Sequence, residues 1–323
     1  MWLRDEFVDM RQEWLHYSSL SLSLPKMLPK KDSFARAITA LRAVNKARGG
    51  HSLLVSHGPR PTYYGASIAK AFCPKLPHLA YSFNFTDLPQ GPQRRLLAKA
   101  YKQPTRFVTY STVERALYAD YFDIAIDSID MLHWAVHVPE IDFSEKPLET
   151  GRYICALGSQ ARDYKTLFMA MRELRNIKLV VVTNAESLRN LEIPENVRVL
   201  TSIPLHEAHN ILAHSEFMVL PLRDSQVPCG HVTIVSSMFF KKAIIVTDSQ
   251  GVRDYIADEH TGLFFEPKNP RDLAQKIESL WSDAVKAKML SELGFQFANT
   301  HCTVKTVINY FSGFLQQTLR EGA

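Results

Sequence analysis

The sequence is poor in the features that mark several common classes of protein. Cysteine is scarce, and the four present stand far apart without CxxC or Cys/His spacing: Cys73, Cys155, Cys229 and Cys302. This pattern favours reduced thiols in a cytosolic protein over a disulfide framework or a zinc site. No run of about 18 apolar residues occurs, so no transmembrane helix is expected. Charges among the first 20 residues argue against a secretory signal.

Charge of one sign is also not dominant. The net charge of +5 is mildly basic and lacks the dense patch that nucleic-acid binders carry, so no nucleic-acid partner is expected. It suits an anionic substrate or a membrane surface. The 323 residues, 46% hydrophobic and 22% charged, predict a soluble globular protein with room for two domains. We therefore expect a cytoplasmic protein, with peripheral membrane contact as an open alternative.

Short apolar runs and helical patterns alternate along the whole chain, without an internal repeat. This order predicts an α/β protein with parallel sheets and helices on both faces. A polar, proline-containing stretch at 139–151 predicts a domain boundary. We predict two tandem doubly wound, Rossmann-like domains, 1–145 and 146–302, with a closing helix at 303–323. In such folds ligands bind beyond the carboxyl ends of the strands, so a cleft between the domains is the expected site.

The segment 217–241 is the first candidate for chemistry. An apolar strand leads through a loop to Gly230, and His231 begins a predicted helix that carries Thr233 and Ser236. Glycine allows a ligand close to the backbone, and the N–H groups of a helix start favour a phosphate. The alternative is a connection without a ligand, which one glycine does not exclude.

Two basic residues follow the first strand of the second domain. Arg162 and Lys165 lie where such domains usually build a site, and they could neutralise a diphosphate. The alternative is a loop with solvated charges.

The first domain offers polar residues after two strands. His57 could act as a base and Arg60 as an anion clamp, while Asn84 and Asp87 follow the next strand. The alternatives are a histidine that satisfies loop backbone and an aspartate that stabilises a turn.

The motifs in order resemble a known family. "GHVTIVSSMFFKKAIIVTDSQGVRDYIADEHTGLFFEPKNP" is similar to the nucleotide-binding helix, the "AMxxGKPVIATD" strand and the "GVxDYI" segment of GT-B glycosyltransferases. "ALGSQARDYKTLFMAM" resembles the start of their second domain. "HLAYSFNFTDLP", "FVTYSTVERALYADYF" and "HWAVHVPE" resemble the first domain of bacterial members. The resemblance covers about 50–320 in order, and the second domain is similar to the family-4-like group.

The resemblance implies transfer of a sugar from a nucleoside-diphosphate sugar, with UDP-sugar favoured, to a saccharide or lipid-linked acceptor in polysaccharide or glycan synthesis. It implies no cofactor and no metal, with the diphosphate held by Arg162, Lys165 and the 230–233 backbone. By position it places the base of the nucleotide near Ser202 and Ile203. It also implies that the closing helix packs back toward the first domain, and Asp87 or His57 is the expected catalytic base.

The departures from the family matter. Many retaining members carry two glutamates eight positions apart, where this chain has Pro228 and Ser236. Lys241 replaces the glycine of "GK". Residues 1–33 match no known pattern, although Trp2, Phe7, Trp14, Leu15 and Tyr17 suggest an amphipathic helix that packs on the domain or docks on a membrane. The rival hypothesis is a non-catalytic partner subunit that has lost its acids. The sequence leaves the sugar, the acceptor, the stereochemistry and the oligomeric state open.

Overall fold

The chain folds into two units, each built on a parallel sheet. The structure, a computed structural model, describes residue 13 and residues 15–22, 31–49, 52–137, 146–223 and 227–321. One unit contains the residues up to Leu132 together with those from Val307 onward, and the other is His133–Thr306. Trp2, Phe7 and Trp14 of the predicted amphipathic helix lie outside the described residues, as does most of the predicted linker. Leu15 and Tyr17 are described, and the helix prediction is wrong for them, because the chain is irregular there and forms only a 3₁₀ turn at Ser19–Ser21.

The first unit holds a four-stranded parallel sheet in the order β1-β2-β3-β4. Its strands are β1 Leu54–His57, β2 His78–Tyr81, β3 Arg106–Thr109 and β4 Ile129–Met131. The helices that precede, connect or follow them are α1 Lys31–Lys46, α2 Pro59–Phe72, α3 Gly91–Ala100, α4 Thr112–Phe122 and, at the end of the chain, α10 Val304–Glu321. The predicted strand–helix alternation of this half is therefore confirmed.

Aromatic rings fill the centre of the first unit. Phe83 is fully buried directly after β2, with the rings of Tyr101, Phe107 and Tyr118 packed edge-on against it at 4.8–5.7 Å. Edge-to-face contacts of this kind add to the free energy gained from burial. Helix α10 packs on the same unit, where Phe311 contacts the ring of Tyr81 at 5.2 Å.

The second unit holds a six-stranded parallel sheet in the order β10-β9-β8-β5-β6-β7. Its strands are β5 Ile154–Leu157, β6 Leu179–Thr183, β7 Val197–Thr201, β8 Met218–Leu220, β9 Ile244–Thr247 and β10 Leu263–Phe265. Its helices are α5 Tyr164–Glu173, α6 Leu205–His214, α7 His231–Phe239, α8 Pro270–Ser282 and α9 Ala284–His301.

The sheet of the second unit is buried on both faces, as predicted for a doubly wound domain. Successive residues of one strand point to opposite faces, so Ile154 joins one apolar cluster with α5 and α8, and Cys155 joins another with α6 and α7. The strand order reverses at β5, which pairs with β6 on one side and β8 on the other. A ligand crevice forms at such a reversal, beyond the carboxyl ends of the two strands.

Three elements differ from the sequence prediction. The sequence "DMLHWAVHVPE", 130–140, predicts a strand that runs into the linker, but the strand ends at Met131, because β3, its partner in the sheet, ends at Thr109. The sequence "AESLRNL", 185–191, predicts a helix, but it forms only a short 3₁₀ turn, Ala185–Leu188, and Asn190 then adopts a left-handed φ of 63°. Helix α9, which no pattern predicted, runs for 18 residues.

Candidate functional site

The candidate site lies at the reversal of the second sheet, where the loops after β5 and β8 meet. The backbone N–H of Asp163 donates to the carbonyl of Pro221 at 2.9 Å, and that of Arg223 donates to Ala161 at 2.8 Å. Two segments distant in the sequence are thereby joined side by side. Both loops lead directly into helices, α5 and α7, so two helix starts lie at one edge of the sheet.

Gly230 sets the start of α7. It occupies the N-cap position with a φ of 96° and a ψ of −10°, a left-handed conformation that glycine adopts without steric cost. A Cβ at this position would lie 3.2–3.3 Å from the side chains of Leu220 and Leu222. No side chain among the described residues caps the helix, and the first N–H groups of a helix have no partner within it. This end of α7 therefore suits an anion.

Arg162 lies beneath that helix start rather than in solvent. Its side chain is buried at 7% exposure. Nε donates to the carbonyl of Leu157 at 3.1 Å, Nη1 to that of Gln160 at 2.8 Å, and Nη2 to Oγ1 of Thr233 at 2.9 Å. Burial lowers the pKa of Arg162, although a guanidinium remains charged in proteins. The alternative of a solvated loop charge is wrong for this residue.

Lys165 has the opposite environment. It is exposed in the first turn of α5, a helix that Asp163 caps by accepting the N–H of Thr166 at 3.1 Å. The cap fixes the direction of the helix start. The ammonium group of Lys165 is thus accessible to a ligand, whereas the guanidinium of Arg162 is buried.

Thr233 and Ser236 are both half-buried on α7. The hydroxyl oxygen of Thr233 accepts the Arg162 hydrogen bond and keeps its own proton as a donor. Ser236 stands where the resembling family has a glutamate, and it offers a neutral hydroxyl instead of a carboxylate.

His231 turns its ring toward the core. The ring is buried, stacks on Tyr255 at 4.8 Å, and Nε2 donates to the carbonyl of Gly251 at 3.1 Å. Burial lowers the pKa of His231 to about 4, so the imidazole is neutral at pH 7. The buried imidazole of His231 therefore positions the helix. Only the backbone N–H of this residue is available at the helix start.

Ser202 and Ile203 follow β7, at the edge of the sheet beyond β6. Ser202 is exposed with a left-handed φ of 54°, and its N–H donates to Thr183 at 3.1 Å. Ile203 is half-buried against the cluster around α6 and α7. These two residues therefore lie further from the reversal of the sheet than Arg162 does.

Pro228 occupies a packed position. A Cβ at Gly251 would overlap the ring of Pro228, so the two backbones approach closely. The loop before α7 is thereby held against the segment after β9. The position at which the family carries a sugar-contacting glutamate serves here as a packing contact.

The two candidate bases belong to the first unit. His57 ends β1 in register with Tyr81, whose ring lies 5.8 Å away, and its side chain is exposed. Partial desolvation of the ring lowers the pKa of His57. Asp87 is exposed in the loop that follows β2. Each lies on the carboxyl side of a parallel strand, as predicted.

Two residues at the site, Gly158 and Cys229, were not predicted from the sequence. Gly158 follows β5 with a φ of 104°, and Cys229, half-buried, interacts with Arg162. A glycine directly after a strand was the available signal for the first. For the second there was none, because the contact depends on two loops that meet only in the fold.

Two features are absent from the residues that the structure describes. No cluster of three or more His, Cys, Asp or Glu side chains arranged to hold a metal ion occurs there. Nor does any helix in those ranges combine the length and apolar character needed to cross a membrane.

Comparison with known proteins finds similarity to glycosyltransferases. Residues 139–297 match the family described as "Glycosyl transferases group 1". A curated relative, an uncharacterized glycosyltransferase of Methanocaldococcus jannaschii, is 26% identical over 174 residues, which are 52% of this chain and 48% of that protein. The match thus spans about half the length of the curated relative.

Solved structures share the fold of nearly the whole chain. A glycosyltransferase from Rickettsia africae superposes with a TM-score of 0.70 at 15% identity, over 92% of this chain and 84% of that one. The Anabaena protein HepE, solved in complex with UDP, gives 0.71 at 12% identity, over 87% and 82%. Residues 139–297 are therefore similar to the glycosyl transferases group 1 family, and the chain has the α/β fold of the GT-B glycosyltransferases, as the sequence motifs indicated.

Proposed function

We propose that this protein is a glycosyltransferase that takes a sugar from a nucleoside-diphosphate sugar. The observation that carries the proposal is the start of α7: Gly230, left-handed and without a side-chain cap, stands at the reversal of the sheet in a domain that matches a glycosyltransferase family. Backbone N–H groups aimed outward from a helix start stabilise a phosphate. In glycosyl transfer the diphosphate is the leaving group, so these donors act where negative charge develops.

Lys165 supplies the accessible positive charge. Its ammonium is exposed beside the loop that joins β5 to α5 and can neutralise a phosphate oxygen as a point charge. Together with the α7 helix start, it replaces a metal ion in the proposed mechanism. UDP is the favoured nucleotide, since the structurally similar HepE was solved with UDP and with UDP-glucose. A saccharide or lipid-linked acceptor, and a role in polysaccharide or glycan synthesis, belong to the same proposal.

Calorimetry with UDP, GDP, ADP and CDP tests the nucleotide site. We expect one of them to bind, and Lys165→Met to weaken that binding about 10-fold, the loss of one charge-assisted contact. Lys288→Met provides the matched control, because Lys288 is an exposed lysine on α9 of the same unit. Absence of binding by all four nucleotides would refute the proposal. Hydrolysis of the corresponding UDP-sugar, measured by release of UDP, then tests catalysis.

A second function is supported by Pro228. Since this position is packed against Gly251 and Ser236 is neutral, two carboxylates of retaining relatives have no equivalent here. A partner subunit that binds a nucleotide without turning over a sugar would show this pattern. Tight nucleotide binding without donor hydrolysis or transfer to any acceptor would favour the subunit over the enzyme.

A further inference from the structure

The buried guanidinium of Arg162 has no carboxylate partner among the residues that the structure describes. Its side chain bonds two carbonyl oxygens, the hydroxyl of Thr233 and the thiol of Cys229, and the ion pairs of the described ranges do not include it. Burial of an unneutralised charge is costly, and buried arginines are usually paired. A positive charge held in this way beneath a helix start favours the binding of an anion from outside the protein.

Thr233 lies between that charge and the ligand side of α7. A guanidinium has only donors, so Oγ1 of Thr233 must accept the hydrogen bond from Nη2 at 2.9 Å. The hydroxyl proton of Thr233 then points elsewhere, and no other hydrogen bond of this hydroxyl occurs among the described residues. Because Thr233 belongs to the first turn of α7 and is half-buried, this proton remains free to meet a phosphate oxygen.

Gly158 makes room for the guanidinium. Its φ of 104° is left-handed, and a Cβ built there would lie 2.5 Å from Nη2 and 3.0 Å from Cζ of Arg162. Any side chain at this position would displace the atom that bonds Thr233. Gly158 is therefore required for the contact between Arg162 and Thr233.

We propose that Arg162 is a positioning residue for the diphosphate: it acts through Thr233, whose hydroxyl it orients and polarises as a donor to a phosphate oxygen. The proposal rests on the proposed function, since it takes the diphosphate as ligand. It differs from a direct clamp, in which Arg162 would contact the phosphate itself. The cation contributes through one intervening hydroxyl, and hydrogen bonds in such a chain strengthen each other.

A double-mutant cycle separates the two roles. UDP affinity is measured by calorimetry for the wild type, Thr233→Val, Arg162→Met and the double variant. We expect about a 10-fold loss for Thr233→Val, a similar or larger loss for Arg162→Met, and no further loss in the double variant, because both act on one contact. Thr233→Ser restores the affinity. Additive losses, or full affinity for Thr233→Val, would show that Arg162 acts independently and would overturn the proposal.

One readout, one control variant and one substitute variant separate positioning from a loss of fold. Affinity for uridine, which has no phosphate, should stay unchanged in the variants, whereas a damaged domain would weaken it too. Thr300→Val is the matched control, an exposed threonine of α9. Should Arg162→Met not fold, Arg162→Lys replaces it in the cycle.

The same variants distinguish this inference from the proposed function. If the wild type binds inorganic pyrophosphate but no nucleoside diphosphate, the proposed function fails. The cycle is then measured with pyrophosphate, and non-additive losses still support the Arg162–Thr233 contact. A wild type that binds neither probe overturns both.

Discussion

Asp87 is the residue on which the proposed chemistry depends most directly. Its carboxylate is exposed in the loop after β2 and makes none of the ion pairs found among the described residues. An inverting transfer needs one base to take the proton of the acceptor hydroxyl. We expect Asp87→Asn to lower kcat about 100-fold or more, with the Kd for UDP unchanged, because the proposed nucleotide site belongs to the second unit and Asp87 to the first.

The control for this prediction is Asp127→Asn, which removes a carboxylate from the 3₁₀ turn before β4 in the same unit. Retention of full activity by Asp87→Asn would instead point to His57. The lowered pKa of His57 keeps its ring neutral at pH 7, the form that accepts a proton. His57→Gln would then be the variant that loses activity.

Arg162 and Lys165 show how far residue types alone predict a site. Both were expected at the diphosphate because they follow the first strand of a Rossmann-like domain, and both do lie at the reversal of the sheet. Their environments differ because the loop after β8 and the first turn of α7 cover only Arg162. Contacts between segments far apart in sequence cannot be inferred from a local pattern. The strand β5, which precedes the loop with Arg162, could be inferred, because its apolar run is local.

At the scale of elements, a strained residue, Lys241, follows the end of α7. Lys241 has a φ of 51°, and its N–H closes the helix by donating to Met238 at 3.0 Å. This left-handed position is where the resembling family has the glycine of its "GK" pair. A non-glycine residue in this conformation costs about 1–2 kcal/mol.

We therefore expect Lys241→Gly to raise the free energy of unfolding by about 1 kcal/mol, measured by urea denaturation. The gain is reduced by loss of the exposed ion pair with Glu292 at 3.2 Å, which contributes little. Lys241→Ala is the control, since it removes the same ion pair while leaving the left-handed strain. A lower stability for the glycine variant than for the alanine variant would contradict this account.

Helix α9 shows which elements the sequence hides. Its buried face is made of Leu290, Ser291, Gly294 and Ala298, so the apolar spacing that marks α8 is absent. Small residues serve close approach instead: a Cβ at Gly294 would lie 3.3 Å from Met238 of α7. The strands were easier to predict, because both faces of the second sheet are covered and the strands read as continuous apolar runs.

For the whole molecule, each unit contains a histidine that is buried in its neutral form. His78 is fully buried in the first unit, where its ring nitrogens meet Ser56 Oγ at 2.8 Å and Gln103 Oε1 at 3.1 Å. Burial lowers the pKa of His78 to about 4, and that of His231 in the second unit likewise to about 4. Both histidines therefore resist protonation only in the folded state.

These two histidines make the folded state less stable at low pH. In the unfolded chain a histidine titrates near 6.5, so above that pH neither state is charged and no stability is lost. As the pH falls from 6.5 toward 4, the unfolded state gains protons first. The free energy of unfolding therefore decreases by about 2–3 kcal/mol per histidine at pH 4.5.

We expect the free energy of unfolding to fall between pH 7.5 and 4.5, and His78→Gln to reduce that fall. Urea denaturation followed by circular dichroism at both pH values measures the difference, which cancels the constant cost of the substitution. His260→Gln, at an exposed position, is the matched control. An unchanged pH dependence in His78→Gln would contradict the assignment.

The contact between Pro228 and Gly251 has an evolutionary consequence. Since no side chain fits at position 251 while proline occupies 228, neither position can change freely without the other. Among descendants of this chain, the two positions should vary as a pair, and a side chain larger than hydrogen at 251 should be found only with a smaller or displaced residue at 228. The loop that precedes the proposed phosphate-binding helix start should thereby be linked to the segment after β9 in evolution as well as in space.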